Sequence, residues 1–452
     1  MKTDVVNNMF KRKAYDELLE WKKTWNGKYA VLLEGARRVG KTTIALNFAK
    51  NEYRSYLFID FSKNQQNIID CFNDIGNLDL FFIRLQAEMK TTLYPRESVI
   101  VFDEVQLFPK ARQAIKHLVK DGRYDYIETG SLISIKKNVK DILIPSEEMK
   151  IQVDPMDYEE FCLATNTNYD VLEKLYSFKK PIGEITNRTL IRNFRIYLAV
   201  GGMPQAVEAY ANKMNFSQID RIKQEIISLY EEDLKKIDPS GRLSKIFSSI
   251  PAQLAAKKKN FSFRAAMIKG KTSKDDERIF DLVDSKLVNI CYRVFEPSLS
   301  LNQSIDMSTF KLYLFDTGLF VTMLFNNGAG EYESIYKKLL SDKIALNLGY
   351  LYENMISQML VASKRKLYYY SWRKKNSTHS YEIDFLYCNK GKITPLEIKS
   401  SKITNHESID KFKEKYSSIC GQRYLISAKD YRKMNDLINL PYYLFPSLMN
   451  DE

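Results

Sequence analysis

The sequence predicts an α/β chain in four parts: a parallel-sheet core, a helical lid, a winged-helix-like module and a C-terminal α/β domain. Three observations carry that expectation. Short apolar runs alternate with helix-like segments in the first third. The loop "GARRVGKTT" directly follows the first of those runs. The last part reads helix, three strands, helix, strand.

The apolar runs of the first third are "KYAVLLEG" (28–35), "SYLFIDF" (55–61), "SVIVFDE" (98–104), "YDYIETG" (124–130) and "MKIQVD" (149–154). Nearly continuous apolar strands separated by helical segments are the pattern of a parallel sheet buried on both faces. Residues 1–160 form this core. Residues 161–237 turn helical, with "GGMP" (201–204) as a break, and form the lid. Residues 238–330 read as three helices, "LSKIFSSIPAQLAAKKK", "SFRAAMIKG" and "DDERIFDLVDSKLV", followed by a wing in "NICYRVF" and "FKLYLFDTGLF". That order suggests a winged helix. Residues 331–452 hold a helix near 342–362, the strands "KLYYYSW", "YEIDFLYC" and "KITPLEIKS", a helix near 404–416, and the strand "QRYLIS".

The loop matches GxxxxGK[ST], with Gly35, Ala36, Arg37, Arg38, Val39, Gly40, Lys41, Thr42 and Thr43 as the phosphate-contacting stretch. Glycines let backbone N–H groups curl around phosphate oxygens, and the following helix N-terminus adds a favourable dipole. Lys41 reaches the β- and γ-phosphates, and Thr42 ligates Mg²⁺. A chance match is the bland alternative, and strand, loop and helix in the right order argue against it. Asp103 ends the third run and can hold the Mg²⁺ shell, while Glu104 can activate water. Their alternative role is capping the next helix. ATP and Mg²⁺ are the expected cofactors. Arg37, Arg38, Arg123 and Arg242 are candidate arginine fingers, with surface solvation the competing explanation for each.

An extra strand between loop and acid pair, with a glutamate after the aspartate, resembles the AAA-type branch of P-loop ATPases. In that branch the next strand ends in a γ-phosphate sensor, which implies Thr129, with Ser131 as the alternative. In order, "LLEGARRVGKTT", "FDEVQ", "ETGS", "GGMPQAV", "KLYLFDTGL" and "EIDF…LEIKS" resemble a family of bacterial and archaeal AAA-type ATPases. Its members carry a C-terminal nuclease-like domain of undetermined role. The resemblance implies ATP binding and hydrolysis, on a P-loop ATPase core, and supplies no physiological substrate. Here "TGSL" replaces the usual "TGSS".

In the C-terminal part, strand alternation puts Glu382 with Asp384, and Glu397 with Lys399. If the strands are neighbours, Asp384 and Glu397 can hold a metal that activates water, and Lys399 can offset developing charge. The spacing resembles the PD-(D/E)xK nucleases, with Ile383 where a proline is usual. That likeness implies a further acid from the preceding helix, Glu353. The metal set so expected is Glu353, Asp384 and Glu397, with Glu382 secondary. The competing reading is a hairpin with a cross-strand Glu–Lys pair. Cleavage is a separate claim, because a fold is not a function.

A net charge of +13 favours anionic partners. The run "SKRKLYYYSWRKK" offers basic groups and rings to a nucleic acid, DNA before RNA, with core packing of Tyr369 or Trp372 as the alternative. The acids Asp275, Asp276, Glu277, Asp281 and Asp284 argue against reading of a DNA groove by the winged-helix candidate. Five scattered cysteines without CxxC spacing fit a reducing compartment, and a cytoplasmic location without membrane contact is expected. An oligomer remains open. The two functional expectations are an ATPase coupled to a DNA-directed, metal-dependent nuclease, and a non-cleaving ATP switch that binds DNA or protein.

Overall fold

The computed structural model describes residues 10–63, 65–131, 145–256, 260–266, 274–325, 332–341, 348–375, 377–399 and 406–451. The chain divides into two compact units, 1–154 with 284–286, and 155–283 with 287–452.

The first unit is built on five parallel strands: β1 (Ala30–Gly35), β2 (Ser55–Asp60), β3 (Ser98–Asp103), β4 (Asp125–Ser131) and β5 (Glu148–Gln152), in the order β2-β3-β4-β1-β5. Each falls within a residue or two of its expected apolar run. The strands β3 and β4 are buried at every position, as a sheet covered on both faces requires. One face packs Leu32, Ile100, Phe102 and Tyr126 against Phe81, Ile115 and Leu118 from the helices Leu78–Met89 and Pro109–Asp121. The second of these helices begins on Pro109 and ends at Gly122, whose φ of 76° suits a residue without Cβ.

The second unit combines helices with an eight-stranded mixed sheet. Its strands are β6 (Val288–Val294), β7 (Ile305–Leu314), β8 (Leu367–Arg373), β9 (Ser380–Asn389), β10 (Lys392–Lys399), β11 (Arg423–Ser427), β12 (Arg432–Met434) and β13 (Leu437–Pro441). The order is β12-β13-β11-β10-β9-β8-β6-β7. The helix Glu407–Lys415 covers one face, where Ile409 and Phe412 join Tyr368, Tyr370, Ile383, Leu386, Ile393 and Leu425. The helix Gly349–Ala362 lies against the opposite face, where Glu353 accepts from the Tyr313 hydroxyl and Asn354 bonds Leu314.

This sheet runs across the domain boundary expected at 330. The expected wing, β6–β7, is an edge hairpin of the same sheet as β8–β13, with β6 parallel to β8. Val294 of β6 joins the core of that sheet, so the expected wing is shared between the 238–330 segment and the C-terminal strands. The segment "SFRAAMIKG" forms a turn at 263–266 where a helix was expected, and 267–273 lie outside the described residues, as do Lys257, Lys258 and Lys259. The short strands β12 and β13 escaped the sequence reading.

The helices 158–164, 184–200, 204–211 and 216–237 match the expected helical region. Two start on capping boxes, Asp157 with Glu160 and Asn215 with Gln218. The motifs "GGMP" and "FDTG" meet in space: Asp316 Oδ2 accepts from Gly202 N at 2.6 Å, and its Oδ1 from Leu319 N at 2.8 Å. Beside them Lys223 Nζ, fully buried, donates to the carbonyls of Ala199 (2.8 Å) and Gly318 (3.2 Å) and to the Tyr336 hydroxyl (2.9 Å). Burial lowers the Lys223 ammonium to about 8, against the pull of Asp220 and Asp316.

Asp238 anchors the helix Arg242–Ala255. It accepts from Ser240 Oγ (2.6 Å), Leu243 N (3.0 Å) and Arg278 Nε (2.9 Å). Burial pushes its carboxyl up, but these hydrogen bonds win and hold it at about 2. Its folded value thus lies below the unfolded one of about 4. The stabilisation is present above pH ~4 and is lost as pH falls through about 2. Asp238→Ala is expected to cost about 1–2 kcal/mol at neutral pH. Urea titrations of both proteins should converge only below pH ~2; a full deficit that persists there would show that the carboxylate charge is not what matters.

Candidate functional site

The ends of β1, β3 and β4 converge in the first unit. After β1 the loop 35–40 turns into the helix Lys41–Glu52 through Arg38 (φ 65°) and Gly40 (φ 100°). Gly35 is required by close approach, since a Cβ there would sit 2.2 Å from the Val153 carbonyl oxygen. Arg12 straps the loop from outside, with Nη1 on the Val39 carbonyl (2.8 Å) and Nη2 on that of Asp154 (2.7 Å). No sequence motif marks Arg12; its burial at 4 % exposure is the only signal, and it is a tertiary one.

Lys41 Nζ donates to the carbonyls of Gly35 (3.0 Å) and Ala36 (2.7 Å). Burial lowers its ammonium to about 8, and Glu104 and Asp103 partly offset that. A buried cation satisfied only by neutral carbonyls is a receptor for an anion. Thr42 Oγ1 donates to Asp103 Oδ1 at 2.7 Å, joining a hydroxyl and a carboxylate oxygen as a hard cation needs. The same Asp103 oxygen receives the Thr129 hydroxyl, and Thr129 Oγ1 accepts from Glu104 N at 3.3 Å. Burial raises the Asp103 carboxyl, against the hydrogen bonds from Thr129 and Thr42; a bound cation would relieve that penalty.

Glu104 leaves β3 in the left-handed region (φ 55°, ψ 44°), a conformation costing a non-glycine residue about 1 kcal/mol or more. Gln106 Nε2 holds its carboxylate. This turn separates the two acids, with Asp103 beside Thr42 and Glu104 against Gln106. Thr129 therefore bears on the acid pair, and Ser131, opposite Gly35 in the register, has a buried hydroxyl without a partner. The sequence expectation placed the sensor role on Thr129 first. Among the candidate fingers, Arg123 is bound to Asp121 and Asp79, and Arg242 to Asp275. Asp275 is fully buried between Arg242 and Arg278, so an acid at the head of the expected recognition helix is an internal counter-ion.

In the second unit the acids do not gather as expected. The register between β8 and β9 shifts between Tyr368 and Tyr370, so Tyr368 pairs with Leu386 and Tyr370 with Ile383. Three steps on β9 face two on β8, which is a bulge at Asp384 and Phe385. Ile383 and Leu386 stay in the core under the helix 407–415. Phe385 turns to the other face, against Tyr313. Asp384 feels the charges of Glu353, Lys311 and Glu382, and more weakly that of Glu397, and its Oδ2 accepts from Ile398 N at 2.7 Å. Glu397 and Lys399 alternate with Ile393 and so point toward the helix 407–415, where they pair with each other.

The expected metal set of Glu353, Asp384 and Glu397 is thus divided between faces. Among the described residues no group of three or more His, Cys, Asp or Glu side chains is placed to hold a metal ion. What sequence reasoning missed is Lys311 on β7. Its Nζ donates to Glu382 Oε1 at 2.7 Å and lies 3.8 Å from Glu353 Oε2 and 5.0 Å from the Tyr369 ring centre. Glu382 is therefore a principal member of this cluster.

The basic-aromatic run is also placed differently from the nucleic-acid expectation. Tyr368, Tyr369 and Tyr370 are buried, and Trp372 stacks on Tyr370 at 4.9 Å. These rings serve the core; Lys374 at the end of the run pairs with Glu407.

The parallel sheet, phosphate loop and acid pair define an AAA-type P-loop ATPase domain. Residues 27–162 match the family described as AAA domain. Residues 191–329 match a domain of unknown function (DUF8612), and 348–443 another (DUF4143). No curated protein matches the sequence. Among solved structures, a chain of Drosophila ORC bound to DNA is 12% identical with a TM-score of 0.24, covering 66% of this chain and 89% of that one. AMPPCP-bound DnaA from Aquifex aeolicus is 12% identical with a TM-score of 0.24, at 73% and 92% coverage. A protein from Vibrio cholerae is 11% identical with a TM-score of 0.18, at 93% and 96%. At such scores the likeness carries no weight for function. No described helix is long and apolar enough to cross a membrane.

Proposed function

We propose that the chain is a Mg-ATP-hydrolysing switch whose second unit binds DNA without cutting it. The observation that carries the ATPase half is the linked set Lys41, Thr42, Asp103 and Thr129 at the ends of three adjacent strands. In this reading Lys41 and the loop N–H groups hold the phosphates, while Thr42 and Asp103 hold Mg²⁺, which would neutralise phosphate charge. Glu104 orients and deprotonates the attacking water. The net charge of +13 favours a polyanionic partner. The division of Asp384 from Glu397 and Lys399 favours binding over cleavage.

One observation supports the nuclease alternative: Glu397 Oε2 is buried without a partner beside Lys399, as a ligand atom would be. Glu104→Gln separates the steps. It is expected to keep ATP binding and lose about 10²-fold or more of turnover, and its ATP-bound form should differ from the ADP form in affinity for a fluorescent duplex. Equal DNA binding by both forms would remove the switch. Plasmid nicking with Mg²⁺ or Mn²⁺ that disappears in Asp384→Ala and Lys399→Ala would establish the nuclease instead.

A further inference from the structure

We infer that Lys311 is a resident cation of the C-terminal acid cluster, occupying with its ammonium the place that a divalent metal would otherwise take. The inference deepens the non-cleaving half of the proposed function and does not depend on the ATPase half.

The geometry is that of a cation and its ligands. Lys311 enters from β7, with 5 % of its surface exposed. Its Nζ meets Glu382 from β9 and Glu353 from the helix 349–362, with Asp384 behind them. The ring of Tyr369 lies 5.0 Å from the ammonium, and the Tyr313 hydroxyl donates to Glu353 Oε2 at 3.2 Å. Burial alone would lower the lysine, but Tyr313, Glu382, Glu353 and Asp384 reverse that and hold it charged.

A divalent ion entering here would have to displace an ammonium already bonded to the carboxylates, and the displaced charge would stay buried. Buried like charges at a few ångströms exclude one another. A single substitution should therefore convert the cluster: without Lys311, three carboxyl groups surround a space with no positive charge. That arrangement suits an oxygen-preferring ion.

The test is Mn²⁺ binding to the full-length chain without nucleotide, read from the electron paramagnetic resonance of free Mn²⁺. Parental protein and Asp384→Asn should bind Mn²⁺ alike. Lys311→Ala should gain one site about tenfold or more tighter than any in the parental chain. The gain should be absent in Lys311→Arg, which keeps the charge, and in Lys311→Ala/Asp384→Asn. A parental Mn²⁺ site lost in Asp384→Asn overturns the inference, as does a folded Lys311→Ala with no gain. If Lys311→Ala does not fold, the parental and Asp384→Asn comparison decides alone. Because the readout is metal and not strand breakage, it is distinct from the nicking assay.

Discussion

Lys41→Ala is expected to lower ATP turnover by about 10²–10³-fold, equivalent to about 2.7–4 kcal/mol of transition-state stabilisation. The side chain is a buried ammonium whose two partners are the carbonyls of Gly35 and Ala36. Those bonds hold the cation at the mouth of the loop, where phosphate oxygens would offer it stronger, charged acceptors. Alanine removes that charge where negative charge develops during phosphoryl transfer. Phosphate release at saturating Mg-ATP measures the loss, and a thermal melt checks the fold. Turnover at the parental rate in a folded Lys41→Ala protein would refute the site assignment. The comparison with Glu104→Gln adds resolution: the glutamine protein should still retain labelled ATP on a filter, and the alanine protein should not.

Gly202→Ala should destabilise the second unit by ~3 kcal/mol or more, the upper range for forcing atoms into a packed interior. An added Cβ would lie 2.0 Å from the Met156 carbonyl oxygen and 2.8 Å from its nitrogen. Neither obstacle is a side chain that can rotate away. The same backbone stretch carries two hydrogen bonds, Met156 N to Gly202 O at 2.7 Å and Gly202 N to Asp316 Oδ2 at 2.6 Å. Relieving the clash breaks both and leaves one oxygen of a buried carboxylate short of a donor, which is costly. Gly76→Ala is the control, because nothing lies within 4 Å of its Cβ position. Denaturant titration followed by tryptophan and tyrosine fluorescence would compare them. A loss in Gly202→Ala no larger than in Gly76→Ala would show that the motif does not hold this packing.

The two motifs behind these predictions were legible in different degrees. The strand–loop–helix form of the phosphate motif could be read, because it is local: glycines, a lysine and a hydroxyl within eight residues, fixed by one strand and one helix. The acid pair Asp103–Glu104 was readable for the same reason. "GGMP" and "FDTG" stood out as motifs, yet their meaning was not visible. They lie 114 residues apart between Gly202 and Asp316, and only folding shows that each exists to receive the other.

The arrangement of the C-terminal acids was not legible in the sequence, for a definite cause. Alternation along β9 holds only while the ladder is regular, and a bulge at Asp384–Phe385 breaks it. One extra residue sends every later side chain to the other face, so alternation within each strand could not say how Asp384 stands to Glu397 on the neighbouring strand. Lys311 could not have been found by any local rule. It sits three strands away from β9 in the sheet and reaches Glu382 across β6 and β8.

The sequence by itself determined the five-stranded parallel sheet, the strand–loop–helix of the phosphate motif, the acid pair at the end of β3 and the order of elements from the helix 349–362 to β11. Each of these rests on hydrophobic period or on chemistry confined to a few consecutive residues. Only the tertiary structure decided that β6 and β7 belong to the C-terminal sheet, that Arg12 straps the loop, that Thr129 serves Asp103, and that Lys311 stands among the acids. Those are pairings between distant segments, set by which edges and faces find partners when the chain collapses.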